Sequence, residues 1–114
     1  MTDTRPNILL ITTDQQRGDC LGIEDHPVLQ TPYLDWVGAS GIRCSRAYSA
    51  CPVCGPARRT LITGLRPVNH GATMNGPAPP ISWPTLATEL ATAGYQTHMV
   101  GKGHFGPAPT EIGF

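Results

Sequence analysis

The 114-residue chain carries no formal net charge, with 39% hydrophobic and 14% charged residues; that balance excludes a disordered segment and argues against nucleic acid or an anionic membrane surface as partner. No apolar run approaches the ~20 residues of a membrane span, and residues 8–11 are too short a run for a signal-peptide core. Gly 13, Pro 12 and Cys 4 predict one loop-rich domain whose cysteines are thiols in a reducing compartment, hence a cytoplasmic location.

The first element in the chain is Ile8-Leu9-Leu10-Ile11-Thr12-Thr13, a continuous apolar run expected to be a strand buried on both faces, as in a parallel sheet. Asp14 and Gln15 follow at its C-terminal end, where α/β proteins place ligand-binding groups. A carboxylate and an amide oxygen suit a hard divalent cation, although polar loops commonly close strands for no functional reason. Residues 20–30 show no clear period. Thr31 and Pro32 predict a helix start, with Tyr33, Leu34 and Val37 as an apolar core-facing stripe and Gly41 as its stop. Residues 42–50 read as a short strand or extended segment.

The densest chemistry lies in CGPARRTLITGLR, residues 54–66. Pro56 to Thr63 predicts about two helical turns ended by Gly64, with Cys54 at or just before the N-terminus. Free N–H groups and the macrodipole there favour a thiolate or an anion, and Arg58, four residues on, turns toward the same face. A buried structural cysteine is the blander alternative. The Cys51-Pro52-Val53-Cys54 spacing invites a zinc or redox reading, but no second pair at ligand spacing supports zinc.

Residues 68–80 form a turn-rich stretch whose His70 and Asn75 are available as donors or as plain loop residues. Residues 82–93 predict an amphipathic helix opened by Pro84, with Leu86 and Leu90 on one face and Gly94 as its stop. Residues 95–100 are strand-like. Lys102 and His104 then alternate along a glycine-rich loop and so share one side. The glycines do not match a phosphate-binding loop that ends in Lys-Ser or Lys-Thr. Helix, turn, strand and polar loop in this order predict an α/β fold.

With these blocks in hand, the chain resembles the sulfatase family of the alkaline-phosphatase-like superfamily. Cys54-Gly55-Pro56-Ala57-Arg58 fits its C-x-P-S/A-R core, and Leu61-Ile62-Thr63-Gly64 with Arg66 fits the continuation. PNILLITTDQ, TPYLDWVGASGIRCSRAYS and WPTLATELATAGYQTHMVGKGHFG resemble further family blocks in the right order. Gly103 replaces the usual tryptophan of GKWHLG and Tyr33 the asparagine of TPNLD. Gln15 stands where many members have aspartate, which is similar to the choline-sulfatase and phosphonate monoester hydrolase branch.

The resemblance implies the N-terminal part of an alkaline-phosphatase-like sandwich with a largely parallel, incomplete central sheet, and one truncated catalytic domain over residues 1–114. It implies hydrolysis of small-molecule sulfate monoesters, with phosphonate or phosphate esters as the alternative on the same apparatus, and no activity from these residues alone. Cys54 matches the residue that a maturation enzyme oxidises to Cα-formylglycine, whose hydrate attacks sulfur and later expels sulfate. Asp14, Gln15 and the modified Cys54 match metal ligands, with Ca²⁺ favoured over Mn²⁺ or Mg²⁺. Arg58 matches the arginine that neutralises charge at the nucleophile. Lys102 matches the lysine that binds sulfate or the leaving oxygen, and His104 the histidine that turns over the diol. Asn75 falls where that branch places a substrate-binding asparagine.

Overall fold

Helix is the only regular secondary structure among the described residues, 4–114 of the computed structural model. The elements run in order as a 3₁₀ turn Gly22–Glu24, α1 (Pro32–Ser40), α2 (Cys54–Thr63), α3 (Pro67–His70), α4 (Leu86–Thr92) and a 3₁₀ turn Pro109–Ile112. They fall into two units, Met1–Arg46 and Ala47–Phe114. The division lies inside the segment expected to be extended over residues 42–50; a turn at Ser45 and Arg46 interrupts it.

The expected parallel sheet is not formed among the described residues. Residues 8–13 form no ladder, and their apolar side chains are exposed, Leu9 at 83%. Residues 95–100 form no ladder either, although Tyr95 and Met99 are half-buried there. A helix satisfies its backbone within one segment, whereas a strand exists only through a neighbour that supplies its N–H and C=O partners. No described helix is long and apolar enough to cross a membrane.

In the first unit, α1 begins at Pro32 as predicted, but Thr31 makes no side-chain cap. Its hydroxyl instead accepts from Gly22 N (2.8 Å) and donates to Asp35 Oδ1 (2.8 Å), which also accepts from Ile23 N at 2.9 Å. Arg43 Nη1 completes this polar clasp, donating to Ile23 O (2.8 Å) and Glu24 Oε1 (3.1 Å). The stripe expected to face a core is uncovered: Tyr33, Leu34 and Val37 are all exposed.

The second unit is organised by α2. Gly64 closes the helix in the left-handed region (φ 69°), its N–H donating to Thr60 O, as its sequence position predicts. Residues three apart share a helix face, and Pro56, Arg59 and Ile62 form the buried face of α2. Ile62 meets Phe105 and Ile112, with Ile81, Met99 and Phe114 packed around them. Each such side chain, fully buried, contributes roughly 1.5–3 kcal/mol.

α3, started by Pro67 and closed by Gly71 at φ 72°, runs into the stretch expected to be turn-rich over residues 68–80. α4 is shorter than predicted because Thr85, not Pro84, opens it. The Thr85 hydroxyl accepts from Thr88 N and the Thr88 hydroxyl accepts from Thr85 N, a reciprocal cap. Ala87 is the buried residue of α4, while Leu86 is exposed. The cause is the Thr85 hydroxyl donating to Ile112 O (2.6 Å), which brings the final 3₁₀ turn over that face. Gly113 sits there at φ 97°, where a Cβ would lie 2.7 Å from Thr88 N.

Candidate active site

Cys54 is the first residue of α2 and is half-buried. The N-cap position, Val53, has no side-chain oxygen to offer the helix's free N–H groups. Asn75 does so from a distance, its Oδ1 accepting from Gly55 N at 3.0 Å. A Cβ on Gly55 would come within 2.8 Å of that oxygen, so glycine at this position admits the asparagine. The same Oδ1 lies 3.6 Å from Cys54 Sγ, which donates to it.

On the other side of the thiol stands His104, with Nδ1 3.1 Å from Sγ. A thiol with an imidazole in hydrogen-bond reach and an amide oxygen beside it has the geometry that a nucleophile and its base require. His104 holds φ 55°, one of three non-glycine residues with positive φ among those described; Gln15 (58°) and Asp25 are the others. This conformation costs a non-glycine residue of order 1 kcal/mol or more and persists only where its surroundings impose it. Here the flanking carbonyls are both held by consecutive arginines of α2. Arg58 Nη1 donates to Lys102 O at 2.7 Å, and Arg59 Nε donates to Phe105 O at 2.7 Å.

Arg59 is the residue whose part the sequence did not reveal. It is 1% exposed, and it also donates through Nη1 to His70 O (3.4 Å) and through Nη2 to Pro79 O. Burial pushes its guanidinium below the ordinary arginine value, yet an arginine starts so high that it stays charged. Three backbone carbonyls meet that charge. His70, considered as a possible donor to the site, is fully buried and structural. Its Nδ1 accepts from Ala72 N (3.2 Å), which leaves the proton on Nε2 to bond Thr60 Oγ1 at 3.1 Å. An RR pair in the first turns of a helix was the available signal; which arginine turns inward depends on the packed loops.

Cys54, Asn75 and His104 thus converge by side chain, and Lys102 joins through its carbonyl to Arg58. Asp14 and Gln15 belong to the other unit, at a bend directly after the extended apolar run. They present adjacent carboxylate and amide oxygens, the donor chemistry of a hard cation. Among the described residues no three His, Cys, Asp or Glu side chains group as metal ligands, and all four cysteines are free. Cys51 and Cys54 are therefore not joined as a disulfide.

The family model described as sulfatase matches residues 6–114. An arylsulfatase of Clostridium perfringens is 39% identical over 113 residues, covering 96% of this chain and 23% of that protein. Human arylsulfatase A is 38% identical over 110 residues, covering 91% and 22%. Among solved structures, the phosphonate monoester hydrolase of Agrobacterium radiobacter superposes with a TM-score of 0.75 at 38% identity, over 80% of this chain and 18% of that one. The chain spans about a fifth of the length of the curated relatives it matches.

Proposed function

The chain belongs to the sulfatase family, and from that premise we propose that a protein carrying it hydrolyses sulfate monoesters with Cys54 as the precursor of its nucleophile. The observation that carries the reading is the meeting of Cys54 Sγ with His104 Nδ1 and Asn75 Oδ1 at the start of α2, inside the C-x-P-A-R motif. We assign to Cys54 the oxidation to Cα-formylglycine by a maturation enzyme, and to the whole site the frame of an alkaline-phosphatase-like fold. A soft thiol is a poor ligand for a hard cation, whereas an oxygen-bearing side chain at position 54 suits one.

Asp14 and Gln15 are the residues we assign to a divalent cation, Ca²⁺ or a similar hard ion. Such an ion supplies Lewis acidity that favours the deprotonated nucleophile and offsets sulfate charge. The remaining work falls to side chains of the second unit. His104 is placed to take and return a proton at the group borne by residue 54. Asn75, fixed by Gly55 N, accepts a hydrogen bond from that same group and limits its rotation. Arg58 and Lys102 supply positive charge for the sulfate oxygens, and the Arg58 bond to Lys102 O ties the two segments together. The four free thiols accord with a cytoplasmic setting.

Phosphonate ester hydrolysis is the second reading, favoured by the likeness to the Agrobacterium hydrolase. Both substrates present tetrahedral oxyanions to the same charges. Mass spectrometry of the peptide spanning Cys54, after co-expression with the maturation enzyme, is expected to show a loss of about 18 Da as thiol becomes aldehyde. A peptide that keeps its thiol counts against the mechanism. Paired assays on an aryl sulfate and an aryl phosphonate then separate the readings, and dominant phosphonate turnover would sink the first.

A further inference from the structure

We propose that Arg59 is a positioning residue of this site, holding the backbone beyond His104 so that the imidazole stays at Cys54. The proposal deepens the sulfate-ester reading and rests on it for what His104 does in turnover. Arg59 cannot touch substrate, because its side chain is buried under the loop it holds. What it touches are three carbonyls from three separate segments: Phe105 O, His70 O and Pro79 O. Phe105 directly follows His104, and the Phe105 ring itself is buried in the core cluster.

His104 therefore sits between two anchored carbonyls in a backbone conformation that a free loop would leave. Arg58 secures the upstream side at the surface and Arg59 the downstream side in the interior. Gly106 fits the same arrangement: at φ 102° it lies against Arg59, where a Cβ would be 3.5 Å from Nη2. The bond to Pro79 O matters as well, since Pro79 lies on the segment that carries Asn75. One guanidinium thus secures both loops that deliver side chains to Cys54. A carboxylate partner would hold the charge without this effect; three carbonyls convert it into a backbone clamp.

The test reads the geometry through the thiol, before any conversion to formylglycine. In the unmodified protein, the rate of Cys54 alkylation by iodoacetamide is followed by peptide-resolved mass spectrometry, with Cys51, Cys20 and Cys44 as internal references. His104→Ala is expected to slow Cys54 because the adjacent base is lost. Arg59→Met is expected to slow Cys54 by about tenfold, the effect of losing one hydrogen bond to a charged group. The reference thiols keep their rates, and Arg59→Lys recovers part of the loss. No change at Cys54 in a folded Arg59→Met protein overturns the positioning role.

Should the variants fail to fold, the wild-type protein still decides the matter. The Arg59 Nε–H, buried on Phe105 O, is expected to exchange with solvent more slowly than that of the exposed Arg66; equal exchange overturns the proposal. Alkylation needs neither formylglycine nor a sulfate ester. A protein whose Cys54 responds to Arg59→Met yet turns over no sulfate ester therefore loses the proposed function and keeps the clamp.

Discussion

The two units solve the same problem, a short loop-rich stretch with few helices, in opposite ways. In residues 4–46 no side chain is buried. The 3₁₀ turn and α1 are joined by hydrogen bonds among Thr31, Asp35 and Arg43, while Trp36 and Ile42 lie open to solvent, the latter at 95%. The Arg17 guanidinium holds the Asp19 carboxyl below the usual carboxylate range, but a pair so exposed adds little stability. In Ala47–Phe114 polar side chains share the interior with apolar ones: Arg59, His70 and Thr85 are buried beside Ile62, Ala72, Ala87, Phe105 and Ile112. Every buried side-chain nitrogen and oxygen among the described residues finds a partner. The difference teaches that in so small a body a core forms where polar side chains tie loops onto a helix, and that the convergent side chains lie on those loops.

The comparison breaks most readily at Ile112. Ile112→Ala removes a 2%-exposed side chain from the cluster and is expected to cost about 2–5 kcal/mol of unfolding free energy, read from urea midpoints. Thr85→Ala loses the reciprocal cap and the bond to Ile112 O. Its expected cost is about 1–2 kcal/mol, with faster hydrogen exchange confined to α4 and the last turn. Trp36→Ala in the first unit is expected to change stability by no more than about 0.5 kcal/mol, as at other open surface positions. If it instead cost as much as Ile112→Ala, the two units would not differ as described.

Much of the second unit was legible. Proline near a helix start and glycine just past its end act within one turn, so the end of α2 at Gly64 could be read from neighbouring residues alone. The start of α4 was misplaced because Thr85 competes with Pro84 for the same role, and its reciprocal bond with Thr88 decides between them. Of the face marked by Leu86 and Leu90, Leu90 is half-buried and Leu86 exposed, while the final turn covers Ala87. The motif pointed to Cys54, Asn75 and His104, but not to Arg59, because an inward arginine depends on carbonyls 11 to 46 residues away in sequence. The runs at 8–13 and 95–100 carry strand composition without a ladder, for pairing is never a property of one segment.

By itself the sequence determined what local chemistry controls: helix termini, the position of Cys54 at the start of α2, and the family to which the chain belongs. Tertiary structure alone decided which of two adjacent arginines is buried, that His70 is structural, and which faces are covered. The physical reason is range. Caps and turns are settled over a few bonds, whereas a buried charge and a strained histidine are settled by distant groups that satisfy them.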